Sequence, residues 1–258
     1  MQDLNVTLVQ AEQTWEDKQA NFKHFESILS NFKHKTDLII LPEMFHTGFT
    51  MNAESLAEAM NGNGVSWLKT QAKQHNAAFV ASLIIKEAGR FYNRMVFVTP
   101  KGEVSIYDKR KLFGMAKEDE HYTAGQKNTI VNYKGWKILL QVCYDLRFPE
   151  IARNKINESS EPIYDALIYV ANWPEKRNQH WKTLLRARAI ENQCYVLAVN
   201  RVGEDKNKLT YSGDSSVIDP LGKILDTATH SEKILISDLS FSTLQTVREK
   251  LPFLKDIE

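Results

Sequence analysis

Four residues of chemically useful type stand at the ends of apolar, strand-like runs. Glu43 follows "LIILP", Lys109 follows "VSIYD", Cys143 follows "ILLQV" and Asn172 follows "LIYVA". A thiol, a carboxylate and an ammonium are the parts needed for covalent attack on a carbonyl. The thiol is the nucleophile, and the carboxylate takes its proton. The ammonium faces the oxyanion of the tetrahedral intermediate, together with a backbone N–H near Tyr144. The residues after Cys143, "YDLRFPE", predict a helix near 148–156 whose N-terminal dipole faces the sulfur and favours thiolate. Taken singly, each residue has an ordinary structural reading. A cysteine after a strand packs as a small hydrophobe, a loop glutamate or lysine is solvated, and an asparagine makes turns. Recurrence at strand ends, where α/β folds build their sites, makes the case for chemistry.

The elements that must position these groups are strands and helices interleaved throughout. "LNVTLVQ", "DLIILPE", "AFVASLIIK", "FYNRMVFVTP", "GEVSIYDK", "TIVNY", "WKILLQVC", "DALIYVAN" and "YVLAVNR" read as strands, with two more near 215–226 and 233–239. Phe22, Phe25, Leu29 and Phe32 recur at helical spacing over 16–33. Further helices are predicted at 64–76, 178–192 and 242–250. The apolar runs are continuous rather than alternating, which indicates strands covered on both faces. Strands outnumber helices and several join as hairpins, so two packed sheets with helices outside fit better than one parallel sheet. No repeat or linker divides the chain, and residues 1–258 read as a single domain.

The bulk numbers narrow the classes. The chain has 258 residues, 25% charged and 43% hydrophobic, with a formal net charge of +1. That composition is globular and gives no reason to expect nucleic acid or a membrane as partner. Cys143 and Cys194 are the only cysteines, which suits a reducing cytoplasm. The N-terminus has no basic segment followed by an apolar core, so no signal peptide is expected. The seven histidines form no HxH or HExxH pair, and no metal is expected. "NGNG" at 61–64 reads as a turn, and Cys194 as core.

Three separated motifs carry a resemblance: "LPEM" with Glu43, "YDKRKLF" with Lys109 and "VCYDLRFPE" with Cys143. In this order they resemble the Glu–Lys–Cys signature of the nitrilase superfamily, the carbon–nitrogen hydrolases. The resemblance extends through "FYNRMVFVTPKG", "HWKTLLRARAIENQCYVLAVNRVG" and "YSGDSSVIDPLGKIL". It implies Cys143 as nucleophile, Glu43 as general base and Lys109 as oxyanion stabiliser. The family lysine stands two positions after the tyrosine, which selects Lys109 over Lys111. Members usually carry histidine where Lys111 stands, a departure that bears on local hydrogen bonding. A second, supporting glutamate is implied about seven residues before a glycine; Gly125 points to Glu118, with Glu120 as competitor. The implied fold is an α-β-β-α sandwich that pairs into an eight-layered dimer, without cofactor.

"YDKRKLF", "YVANWP" and the "HW…RARAIENQ" helix look most like the omega-amidase branch. That likeness implies hydrolysis of the side-chain amide of 2-oxo acids such as 2-oxoglutaramate and 2-oxosuccinamate through a thioester, releasing ammonia and a dicarboxylate. The same chemistry on a nitrile or N-carbamoyl amino acid is an alternative, and a silent binding protein a remoter one. A carboxylate-bearing substrate needs a cation at the far end of its pocket. Arg188 reads as a structural partner of Glu191 in preference to a ligand for substrate. Tyr144, Asn172 and Trp173 are expected to line the pocket, Trp173 being nearly as good a candidate for plain core.

Overall fold

The computed structural model of the chain describes residues 2–257. Its first half runs β1 (Leu4–Gln10), α1 (Lys18–Ser30), β2 (Leu38–Ile40), α2 (Ala53–Leu56), α3 (Asn63–His75), β3 (Ala78–Glu87), β4 (Arg90–Val98) and β5 (Val104–Asp108). Then come α4 (Glu118–His121), β6 (Ile130–Tyr133), β7 (Trp136–Val142), α5 (Pro149–Ala152), β8 (Ala166–Ala171), α6 (Asn178–Asn192) and β9 (Tyr195–Asn200). β10 (Val202–Glu204), β11 (Thr210–Ile218), β12 (Ile224–Thr229), β13 (Lys233–Leu239) and α7 (Phe241–Lys250) complete it.

One sheet has the order β13-β1-β2-β3-β4-β5; the other has β10-β11-β9-β8-β7-β6, with β12 also on β11. Both are parallel at the centre, through β1–β2–β3 and β7–β8–β9, and antiparallel toward the edges. Alternate side chains explain the continuous apolar runs. Leu38 and Ile40 of β2 face the inter-sheet core with Ile138, Leu140 and Val142 of β7. Ile39 faces outward into a second core with Phe22, Phe25 and Leu29 of α1 and Leu68 of α3. On the far side Leu167 and Tyr169 of β8 meet Trp181 and Leu185 of α6. The result is the expected α-β-β-α sandwich. Asp17 caps α1 by accepting from the N–H of Ala20 at 2.9 Å, which is why that helix starts at Lys18.

Three expectations are corrected. The helix near 148–156 shrinks to a 3₁₀ turn, Cys143–Arg147, and the single turn of α5. Asn154 ends it: fully buried, its backbone N–H donates to Asn192 Oδ1 and its side-chain amide donates to the carbonyls of Tyr164 and Asn192. The span 215–226 is not one strand but the join of β11 and β12, turned by Asp219, which accepts from the N–H groups of Leu221 and Lys223. "NGNG" is only half a turn, because Asn63 and Gly64 already belong to α3. A Cβ at Gly64 would lie 2.3 Å from Leu83, so glycine lets α3 sit close on β3.

Candidate active site

Cys143 leaves β7 with φ of +45°, an αL backbone that lifts the side chain off the strand at a sharp turn. It lines a cavity of about 500 Å³ with Lys109, Tyr144, Asn172 and Trp173. Glu43 and Glu118 lie immediately behind, both fully buried. The Lys109 ammonium donates to Glu43 Oε1 at 3.1 Å and to Glu118 Oε1 and Oε2 at 2.9 and 2.8 Å. Asn93 donates to the same two carboxylates, at 2.7 Å to Glu43 and 3.3 Å to Glu118. The backbone N–H of Asn172 donates to Glu43 Oε2 at 2.8 Å, and its side-chain amide to the Glu43 carbonyl at 2.7 Å. Thus residues following β2, β7 and β8, with others from β4 and α4, meet around the ammonium that follows β5.

Glu118 also accepts from the backbone N–H of Phe113 at 2.6 Å, which anchors the loop that walls the cavity. Glu120, its sequence competitor, is exposed and 3.4 Å from Lys117. Gly125 explains how the chain passes so close to the lysine. Its N–H donates to the Lys109 carbonyl at 2.9 Å, and a Cβ there would stand 2.1 Å from the Asp108 carbonyl oxygen.

Charge is unevenly shared in this cluster. Burial alone would lower the Lys109 ammonium, but the carboxylates of Glu118 and Glu43 outweigh it and raise it. Burial raises the Glu118 carboxyl against the pull of Lys109, with Glu43 adding repulsion. Burial and then the Glu43 carboxylate push the Cys143 thiol well above its ordinary value, although Lys109 opposes them. This corrects the expected helix-stabilised thiolate: no long helix follows the sulfur, and the resting group is a thiol. A base must therefore take its proton as the bond to carbon forms.

Tyr144, Asn172 and Trp173 are all at the cavity wall. Trp173 is also core, 5.4 Å from Trp181, and its indole N–H donates to the Arg177 carbonyl at 2.8 Å. Arg188 lies away from the cavity; it donates to Glu191 at 2.8 Å and to the Leu146 carbonyl at 2.6 Å, bracing the turn after Cys143. Sequence reasoning missed Asn93, Arg147 and Arg177. Arg147 lay inside "VCYDLRFPE", and Arg177 three residues beyond "YVANWP", but nothing local showed that either borders the cavity. Arg147 sits over the Trp173 ring at 4.7 Å and Arg177 over Phe113 at 5.4 Å.

Residues 5–249 match the carbon–nitrogen hydrolase family. The chain belongs to that family, within the nitrilase superfamily, and is a cysteine-dependent amidase that cleaves amide C–N bonds. It is 44% identical to the omega-amidase YafV of Escherichia coli K12 over 259 residues, 100% of this chain and 98% of that protein. With the 2-oxoglutaramate amidase of Bacillus subtilis 168 it shares 33% over 240 residues, 92% of this chain and 91% of the relative. Among solved structures it superimposes on XC1258 of Xanthomonas campestris with a TM-score of 0.98 and 42% identity, covering 100% of this chain and 98% of that one. That structure is described as a CN-hydrolase superfamily protein with an arsenic adduct in the active site.

Proposed function

We propose that this amidase is an omega-amidase, acting on the side-chain amide of small 2-oxo acids such as 2-oxoglutaramate and 2-oxosuccinamate. One observation carries the reading: the cavity that holds Cys143 and Lys109 is also bordered by two arginines free of acidic partners. Arg94, Arg153, Arg188 and Arg248 pair with carboxylates. Among the described residues, no carboxylate lies within 4.0 Å of Arg147 or Arg177. Arg147 Nη2 lies 3.1 Å from His180 Nδ1, and the remaining N–H groups of the two stacked guanidiniums are the donors proposed for a substrate carboxylate. The names of the two relatives support the same substrate class.

In the reaction Glu43 takes the thiol proton while Cys143 sulfur bonds to the amide carbon. The carbonyl electron pair moves to oxygen, where the Lys109 ammonium and a backbone N–H stabilise it. The intermediate collapses by breaking the C–N bond; the nitrogen takes the proton from Glu43 and leaves as ammonia. Water then attacks the thioester, losing a proton to Glu43, and the C–S bond breaks to return the thiol and release a dicarboxylate. Glu118 keeps Lys109 charged and in place.

Cys143→Ala is expected to abolish ammonia release from 2-oxoglutaramate without changing the circular dichroism spectrum. Undiminished turnover in that variant, or wild-type activity confined to nitriles in a panel of amides, nitriles and carbamoyl compounds, would overturn the proposal.

A further inference from the structure

The site takes its sulfur from one sheet and its ammonium from the other, and the two sheets form separate hydrogen-bond ladders. Lys109 follows β5 at the edge of the first sheet, and Cys143 follows β7 in the second. Apolar packing between sheets is non-directional and does not by itself set such a relation. A buried carboxylate spans the gap. Asp145, in the 3₁₀ turn that begins at Cys143, is fully buried. Its Oδ2 accepts from the backbone N–H of Val142 at 2.9 Å and from the Tyr107 hydroxyl at 2.8 Å. Its Oδ1 accepts from the backbone N–H of Lys111 at 2.8 Å.

The positions of those donors matter. Val142 immediately precedes the nucleophile. Tyr107 and Lys111 stand two residues before and two after Lys109. One side chain therefore grips the approach to the sulfur and both shoulders of the lysine. We propose that Asp145 is a positioning residue, holding Cys143 and Lys109 in a single frame for attack on the carbonyl.

It acts through its neighbours, since every bond it accepts comes from that frame. Burial pushes its carboxyl up, to about 6, against the hydrogen bonds of Val142 and Tyr107. At pH 7 it is still mainly ionised, the form that accepts from all three donors. The titratable groups that face it are Tyr107 on β5, Lys109 on the segment that follows and Tyr169 on β8; Lys111 meets it only through its backbone N–H.

The inference rests on Cys143 and Lys109 acting together, but not on the choice of amide. Asp145→Asn puts an amide nitrogen where an acceptor stood, so either Val142 or Lys111 loses its partner. Displacing reacting groups by about 1 Å costs on the order of 100-fold in rate. The expected result is a fall in kcat of roughly 10–100-fold with KM within about threefold. Alkylation of Cys143 by iodoacetamide at pH 7 should slow as well. That readout needs no amide substrate, so it remains decisive if 2-oxoglutaramate proves to be the wrong one. Tyr107→Phe removes one donor and keeps the ring. It should lower kcat by about three- to tenfold, with the melting temperature within a few degrees of wild type. Should Asp145→Asn fail to fold, this variant decides. The proposal is overturned if kcat and the alkylation rate stay within twofold of wild type in the folded variants, or if kcat falls only in proportion to the unfolded fraction.

Discussion

Cys143 combines a strained backbone with surroundings that oppose an idle thiolate. Its φ of +45° is an αL conformation that a residue with a Cβ adopts at a cost of about 1–3 kcal/mol. Its thiol is held protonated by burial and the Glu43 carboxylate. If Cys143 is the nucleophile, as proposed, a protonated thiol is activated only when a base takes its proton during attack. The two arginines bordering the cavity make a second prediction. A charged hydrogen bond contributes about 1.5–3 kcal/mol, so Arg177→Ala or Arg147→Ala should lower kcat/KM for 2-oxoglutaramate by about 10–100-fold. The loss should be much smaller for an uncharged amide such as butyramide. Steady-state ammonia assays on both substrates measure that ratio, and equal losses on the two would remove the arginines from carboxylate recognition.

At the scale of elements, the site is made by strand ends and by the loops that cross them. Glu43, Cys143 and Asn172 follow β2, β7 and β8, parallel central strands whose carboxyl ends leave a crevice. Lys109 comes instead from an edge strand, and its N–H donates to the Asn93 carbonyl at 3.0 Å. The loop from 110 to 125 then folds over it, brings in Glu118 and returns at Gly125. Gly125→Ala places a methyl group 2.1 Å from the Asp108 carbonyl oxygen, which the loop accommodates only by moving away. Overpacking of this kind costs about 1–3 kcal/mol, enough to lower the melting temperature by several degrees in a chain of this size. Since Lys109 shares the displaced backbone, kcat should fall with it. Calorimetry and ammonia release together test this; unchanged values for both would show that the close approach does not matter.

For the whole molecule, a buried histidine outside the cavity predicts part of the response to acid. His46 is fully buried between Phe45 and Phe22, and both ring nitrogens lack a hydrogen-bond partner. Burial lowers it from 6.5 to about 3, with Glu58 opposing. A depressed folded value means that its contribution to stability is whole above pH 6.5 and is lost as pH falls toward about 3. Between pH 7 and 5 the unfolded chain takes the proton first, a loss of about 2 kcal/mol from this group. Asp145 works the other way, since its raised value favours the fold as pH drops through about 6. His46→Phe fills the same aromatic site without a titrating ring. Urea unfolding at pH 7 and pH 5 should show the variant losing about 2 kcal/mol less than wild type. An identical loss in both proteins would exclude His46 as the cause. Among the described residues no helix is long and apolar enough to cross a membrane.

The amino-acid sequence by itself determined the residue types at the strand ends, the doubly covered strands and four of the helices. Those features are local: a thiol after an apolar run, a helical repeat of Phe22, Phe25 and Leu29. The tertiary structure alone decided which groups meet. Lys109 and Glu43 are 66 positions apart and Asn172 and Glu43 are 129 apart, so no local pattern encodes their contact. It chose Glu118 over Glu120 by burying one and solvating the other. It ended the helix after Cys143 through Asn154, whose partners Tyr164 and Asn192 come from elsewhere in the chain. It also raised the thiol that local reasoning expected to be lowered. Desolvation depends on everything packed around a group, and that is a property of the folded arrangement.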